Sequence, residues 1–319
     1  MSAPYSARRA SVDGFEVAEL RDAARDMLVV IVPSIGNMAY RIERGGRNFL
    51  YFPYDGPAQL QANPKLCGVP FLGPWANRLD GDAYWANGKL YHLNPDLAKL
   101  RRDPNGLPIH GLLNFSPLWR LESLDAEADA ARATSKLDFY RYPDLMAQFP
   151  FAHSITMTYR LCDGLVEVET ILENWSTDPM PVAIGFHPYF QIASREECKV
   201  HLGARRHLVL NDRLLPTGES RPLELADPVM LKDVSLDDGF IDLDGSEFWV
   251  EGPGGRIAVE YGPKYRVAVV YAPRGHDYIC FEPMSAVTNA FNLAHAGKYG
   301  ELQTVPPGGR WQEIFRVRV

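Results

Sequence analysis

The sequence predicts an all-β protein, one large antiparallel domain built as a sandwich or a barrel. Three observations predict it. Short runs of β-branched, aromatic and alternating residues recur along the whole chain, each bounded by turn residues. Convincing amphipathic helices are scarce. Finally, 25 prolines and 26 glycines punctuate 319 residues, which suits many turns and few long helices. No composition break, linker or internal repeat divides the chain, so 1–319 reads as a single domain, with 1–12 as a loose tail.

Taken in order, the first strand expected is Phe15 to Leu20, followed by Met27 to Val32, which is apolar throughout as in a strand buried on both faces. Gly36 and Gly45-Gly46 mark turns, and Asn48 to Phe52 reads as a short strand. Further strands are expected over 118–123, 135–140, 154–161, 165–173, 181–184, 200–202, 248–250, 256–261, 266–271, 278–282 and 311–319. Asp125 to Arg132 is Ala-rich and acidic without an apolar stripe, so it reads as an exposed loop or helical turn. Pro143 to Phe149 suits one helical turn. The Pro-, Leu- and Asp-rich stretch from Asn211 to Asp238 reads as a long loop.

Composition narrows the function classes. With 46% hydrophobic and 23% charged residues the chain can bury a generous core, and its 15 Tyr, 15 Phe and 6 Trp suit both strands and sugar binding. A formal net charge of −7 argues against nucleic acid as a partner, since phosphate backbones require clustered Lys and Arg. Cys67, Cys162, Cys198 and Cys280 are far apart, with no Cys-x-x-Cys, which indicates neither a zinc site nor a disulfide scaffold. Arg8 and Arg9 precede no apolar segment of signal-peptide type, and Met27 to Val32 is far too short to span a bilayer. The expectation is a cytoplasmic protein with reduced cysteines, without a membrane partner, as a monomer or homodimer.

Four segments carry the chemistry. Gly185-Phe186-His187-Pro188-Tyr189-Phe190 is extended, because a residue before proline avoids the helical region. Alternation then puts His187 and Tyr189 on one face and Phe186 and Phe190 on the other. Gly73-Pro74-Trp75-Ala76-Asn77-Arg78 offers a planar fork of donors beside a flat aromatic. In Pro108-Ile109-His110-Gly111 the glycine permits close approach to His110. In Tyr278-Ile279-Cys280-Phe281-Glu282-Pro283 alternation places Tyr278, Cys280 and Glu282 together, and a carboxylate closing an apolar strand needs a partner or a task. Asp237-Asp238-Gly239-Phe240 competes as a plain Asp-Gly turn. Taken alone, the segments of His187, Arg78 and His110 read more readily as structural. There is no Gly-x-Ser-x-Gly elbow and no phosphate-binding glycine loop, and Asp242-Leu243-Asp244-Gly245 lacks the later ligands of a calcium loop. Nothing in the spacing of His110, His187 and Glu282 supports a metal.

In this order the segments resemble the aldose 1-epimerase (galactose mutarotase) family, from the region of Gly36 to the closing strand. The likeness rests on Asn77, Arg78 and Gly81, on His110-Gly111 and on His187-Pro188-Tyr189-Phe190. Phe281-Glu282-Pro283-Met284 and Asn289-Ala290-Phe291-Asn292 complete it. The resemblance implies a galactose mutarotase-like supersandwich, a large antiparallel β-sandwich with an open groove for an aldose, and no cofactor. It implies Glu282 as general base and His187 as general acid, with Arg78 and His110 binding and polarising the sugar. Asp237, in an Asp-x-x-Phe stretch, would be a substrate-binding aspartate, with Asp238 the competing choice. Asn77 also falls in the site, and Trp75 and Tyr189 are candidates for stacking on the sugar. Leu112-Leu113 and Phe186 depart from the common pattern at the walls of the site.

The implied chemistry suits these groups. Opening the pyranose needs a base for the anomeric hydroxyl proton and an acid for the ring oxygen, each worth about two to four powers of ten in rate. Ordinary pKa values of about 4.3 for Glu and about 6.5 for His would leave Glu282 ionised and His187 protonated with modest help, the two facing each other across the ring. A neutral hexose is preferred because Ala76-Asn77-Arg78 resembles the free-sugar branch. The alternatives are a hexose 6-phosphate, for which Arg101-Arg102 or Arg205-Arg206 would supply the cations, and a non-catalytic sugar-binding protein.

Overall fold

The computed structural model describes residues 4–245 and 247–319. Its architecture is mostly β, and every ladder between named strands is antiparallel. A five-stranded meander opens the chain: Tyr5–Val12, Phe15–Asp22, Met27–Val32, Met38–Arg44 and Arg47–Asn48. A nine-stranded sheet then runs, edge to edge, through Val229–Met230, Lys199–His201, Glu247–Gly252, Gly255–Tyr261, Arg310–Arg318, Leu165–Asn174, His153–Cys162, Ala131–Asp138 and Arg120–Ala126. The sheet that carries the site runs Pro216–Pro222, Ala204–Leu210, Leu236–Leu243, Val267–Ala272, Tyr278–Met284, Gly185–Phe186 and Phe71–Leu72, with Tyr189–Gln191 also paired to Tyr278–Met284.

The site-bearing sheet packs one face against the nine-stranded sheet. Phe186 meets Phe315 at 4.7 Å and Phe281 meets Phe248 at 6.2 Å between ring centroids. Burying such rings side by side is the main apolar gain of a sheet-on-sheet core. Phe186, Phe190, Ile279 and Phe281 belong to the large core cluster, while Tyr189, Tyr278 and Cys280 form a separate cluster on the other face. The alternation expected for both segments therefore holds.

Several expectations need correction. Residues 1–12 are not a loose tail as far as they are described: Tyr5–Val12 pairs along its length with Phe15–Asp22, and only residues 1–3 lie outside the described residues. The strand carries little apolar patterning, and its ladder and the Arg8–Glu19 and Arg9–Glu16 pairs hold it instead. Asp125 to Arg132 is the bend of a hairpin between Arg120–Ala126 and Ala131–Asp138. The first of these is a largely exposed edge strand and so shows no apolar stripe.

The stretch 211–238 is not an open loop either. Pro216–Pro222 is the outer strand of its sheet, where proline costs no ladder bond, and Leu236–Leu243 is a strand that passes straight through Asp237-Asp238-Gly239. Gly239 serves close packing rather than a turn, since a Cβ there would meet Leu208 Cδ1 at 2.9 Å. The helical turn expected after Pro143 is present as Pro143–Gln148. All four cysteines are buried and unpaired, and no helix among the described residues is long and apolar enough to cross a membrane.

Candidate active site

The register of the site-bearing sheet brings the polar groups together. Directly opposed residues share a face. Tyr189 and Tyr271 both lie opposite Cys280, Val269 lies opposite Glu282, and Asp237 lies opposite Tyr271. Asp237, Tyr271, Tyr189 and Glu282 therefore emerge on one side, and His187, two residues before Tyr189, joins them. Asp238 takes the opposite face, lining a different hollow with His207 and Arg221, so alternation selects Asp237 for the site.

The remaining pieces arrive through two irregular segments that pair with each other. Gly73 bridges Gly111, Arg78 bridges Ile109, and the His110 amide donates to the Asn77 carbonyl at 2.9 Å. Asn77 and His110 both adopt left-handed backbone, at φ +54° and +63°. For histidine that conformation is uncommon and needs support from the surrounding fold. Gly111 supplies the support: at φ +65° it lies so close to the Gly73 backbone that a Cβ would fall 2.2 Å from its carbonyl oxygen.

The result is a groove of about 410 Å³ lined by Asn77, Arg78, Asp103, His110, His187, Tyr189, Leu214, Asp237, Tyr271 and Glu282 among others. A larger hollow of about 820 Å³, lined by Arg206, Tyr265 and Lys298, contains no histidine. In the groove His187 Nε2 lies 3.3 Å from Glu282 Oε1. The His187 ring stacks on Tyr189 at 4.5 Å and meets His110 edge-on at 5.5 Å. Arg78 Nε donates to Asp103 Oδ2 at 2.7 Å, and Asp103 Oδ1 accepts from the Asn105 and Leu107 amides, each at 2.9 Å. Glu282 Oε2, His187 Nδ1 and His110 Nδ1 are buried without a hydrogen-bond partner among the described residues. Such orphaned polar atoms are costly unless a ligand or water completes them.

Burial dominates the electrostatics. It pushes the Glu282 carboxyl well above the usual carboxylate range, Asp237 adds to the rise, and Arg78 opposes it. Burial likewise lowers His187 to about 3, with Arg101 adding to the fall. His110 is held well below the ordinary imidazole value, first by burial and then by His187, Arg101 and Arg78. Burial alone would raise Asp103, but the bond from Arg78 and the two amides outweigh it and leave its carboxyl lowered. Desolvation raises Asp237, Arg78 opposes the rise and Asp238 adds to it, and the exposure of the side chain to solvent mutes the effect. The free pair therefore keeps its proton on the carboxyl. That overturns the expectation of an ionised Glu282 beside a protonated His187. The two groups also stand side by side rather than across a sugar ring.

Most of the site residues expected from the sequence meet here: Glu282, His187, Arg78, His110, Asp237, Asn77 and Tyr189 all line the groove. Trp75 does not. It is 1% exposed, in the main core beside Tyr84 at 6.4 Å, because its segment bridges Ala183 and turns the indole inward. Trp75 is thus removed from the sugar-stacking candidates.

Asp103, Leu214 and Tyr271 line the groove without having been singled out. Asp103 lies 25 residues from Arg78 in a loop without periodicity, so sequence carried no signal for the pair. Tyr271 lies in an expected strand, and only its register reveals its place in the groove. Among the described residues no three His, Cys, Asp or Glu side chains gather so as to hold a metal ion.

The aldose 1-epimerase family model matches residues 29–318. The chain belongs to the aldose 1-epimerase family. Among solved structures, this aldose 1-epimerase family member is similar to a galactose mutarotase-like protein from Clostridium acetobutylicum, with a TM-score of 0.86, 20% identity and 98% of each chain covered. It is also similar to the galactose 1-epimerase of Lactobacillus acidophilus NCFM, with a TM-score of 0.74, 16% identity, and coverage of 99% of this chain and 98% of that one. These likenesses establish the galactose mutarotase-like fold.

Proposed function

We propose that this protein interconverts the α and β anomers of an aldose, a free aldohexose in the first instance, with Glu282 and His187 moving the protons. The observation that carries the reading is the Glu282–His187 contact of 3.3 Å in a groove where Glu282 Oε2 has no partner. The anomeric hydroxyl oxygen and the ring oxygen are bonded to the same carbon. Two adjacent proton-handling groups suit them better than two groups on opposite sides of the ring.

The opening step runs from the tautomer of the pair with its proton shifted to His187. The Glu282 carboxylate takes the anomeric hydroxyl proton while the imidazolium gives its proton to the ring oxygen, and the bond from C1 to the ring oxygen breaks. The pair then holds its single proton on Glu282, the distribution that burial favours. Rotation about the C1–C2 bond presents the other face of the aldehyde. On reclosure Glu282 gives its proton to the carbonyl oxygen and His187 takes the proton of the attacking hydroxyl, so the pair ends as it began and no net proton or electron is consumed. Arg78, oriented by Asp103, and His110 would fix the sugar hydroxyls, and Tyr189 and Tyr271 would supply flat apolar contact.

Polarimetry on freshly dissolved α-anomers tests the reading. Glu282→Gln is expected to lose at least about a hundredfold in mutarotation rate while sugar affinity changes only a few-fold. A wild-type rate no faster than buffer across a panel of sugars would instead favour a sugar-binding protein without catalysis.

One observation favours a phosphosugar as a second reading. Arg101 Nη1 is buried without a hydrogen-bond partner among the described residues and its charge acts on both His110 and His187, whereas Arg102 is engaged with Asp82 and Arg205 with Asp244. Strong inhibition of the same assay by inorganic phosphate would support it.

A further inference from the structure

The segment Asn289-Ala290-Phe291-Asn292 lies outside the groove lining, yet Asn289 reaches the irregular segment that carries Arg78 from two sides. The Asn289 amide donates to the Arg78 carbonyl at 3.0 Å, and Asn289 Oδ1 accepts from the Asp80 amide at 3.0 Å. Both bonds come from a residue held in left-handed backbone at φ +60°, a conformation that asparagine tolerates and most side chains do not. Asn292 completes the arrangement. Its Nδ2 donates to Asn289 Oδ1 at 2.8 Å and to the Ala83 carbonyl at 3.3 Å, and its Oδ1 accepts from the Trp85 amide at 3.2 Å. The backbone from 78 to 85 is thereby fastened at four points to one short helix and its leading residue.

We infer that Asn289 is a positioning residue for sugar recognition, acting through Arg78. Asp103 holds the Arg78 guanidinium and Asn289 holds its backbone, so the fork of donors is fixed at both ends before any sugar arrives. Preorganisation of this kind lets binding energy go into the sugar rather than into ordering the arginine. Asn292 buttresses the clamp by saturating the second lone pair of Asn289 Oδ1. The inference rests on the reading that Arg78 binds the sugar.

A double-mutant cycle with Arg78→Ala tests it, read both as kcat/KM and as sugar Kd by calorimetry. Asn289→Gly keeps the left-handed backbone and removes only the side-chain acceptor. It is expected to weaken both quantities about tenfold when Arg78 is present and to have little effect in the Arg78→Ala background. Asn289→Asp retains an oxygen that accepts both bonds and tolerates φ > 0, so it should recover to within about twofold.

Equal losses in the two backgrounds would overturn the inference, since Asn289 would then act through the fold at large. If Arg78→Ala alone changes neither quantity, the premise that Arg78 binds the sugar fails, and the inference falls with it. Should Asn289→Gly not fold, Asn292→Ala carries the same cycle, with a smaller loss that must likewise vanish without Arg78.

Discussion

A carboxyl and an imidazole 3.3 Å apart in a buried groove titrate as one unit, and its useful state is the one holding a single proton. That state persists while the pH lies above the point where the pair takes a second proton and below the point where it loses its last. With ordinary values the window would run only from about 4.3 to about 6.5. Burial moves both limits: the acid one falls with His187 to about 3, and the alkaline one is now set by a Glu282 held well above the carboxylate range. Falling pH therefore inactivates the pair only as it passes the depressed His187 value, and rising pH only as it passes the elevated Glu282 value. We expect kcat/KM at pH 4 to stay within about twofold of that at pH 5.5, where unperturbed groups would leave about a third. A profile that falls threefold or more over that interval would show that the groove leaves His187 and Glu282 near their solution values.

At the scale of elements, the loop between Ala204–Leu210 and Pro216–Pro222 shows strain placed at the site. Leu214 lines the groove at φ +58°, which costs a non-glycine residue about 1–2 kcal/mol. The loop holds it there through Asn211, whose Oδ1 accepts from the Arg213 and Leu215 amides at 2.9 and 3.1 Å. Arg213 also pairs with Asp80 at 2.8 Å, tying the loop to the segment that bears Arg78. Leu214→Gly would relieve the strain while costing about 0.5–1 kcal/mol in chain entropy, so the two nearly cancel. The expected outcome is a Tm within about 2 °C of wild type and a KM raised about threefold, because an apolar wall is lost. A large drop in Tm would mean that Leu214 packs for stability rather than for the sugar.

For the whole molecule, the face of the site-bearing sheet turned away from the groove is a wall of Phe186, Phe190, Phe240 and Phe281, and this packed wall keeps the strand ends rigid. The opening meander adds a further layer to the same core through Tyr5, Leu20 and Val29. Tyr5 is buried, and its hydroxyl oxygen accepts from the Asp163 amide at 2.9 Å, linking the first strand to the hairpin of the large sheet. Removing residues 1–12 should therefore cost about 2 kcal/mol, roughly the burial of one large side chain, seen as a lower urea midpoint. An unchanged midpoint would restore the view of this segment as a dispensable tail.

The order of the motifs, their extended character and the side each residue takes on its own strand were legible in the sequence. Alternation and proline geometry are local rules, which is why Glu282 with Cys280, and His187 with Tyr189, could be paired without coordinates. Tertiary pairing was not legible, because it depends on partners tens to about a hundred residues away in the chain. It decided that Asp237 rather than Asp238 faces the groove, that Trp75 turns into the core, and that Asp103 reaches Arg78. The pKa values were beyond reach for the same reason: the charge a side chain carries is set by how much water the rest of the chain leaves around it. Sequence determined which groups could do the chemistry, and tertiary structure alone decided where their shared proton rests.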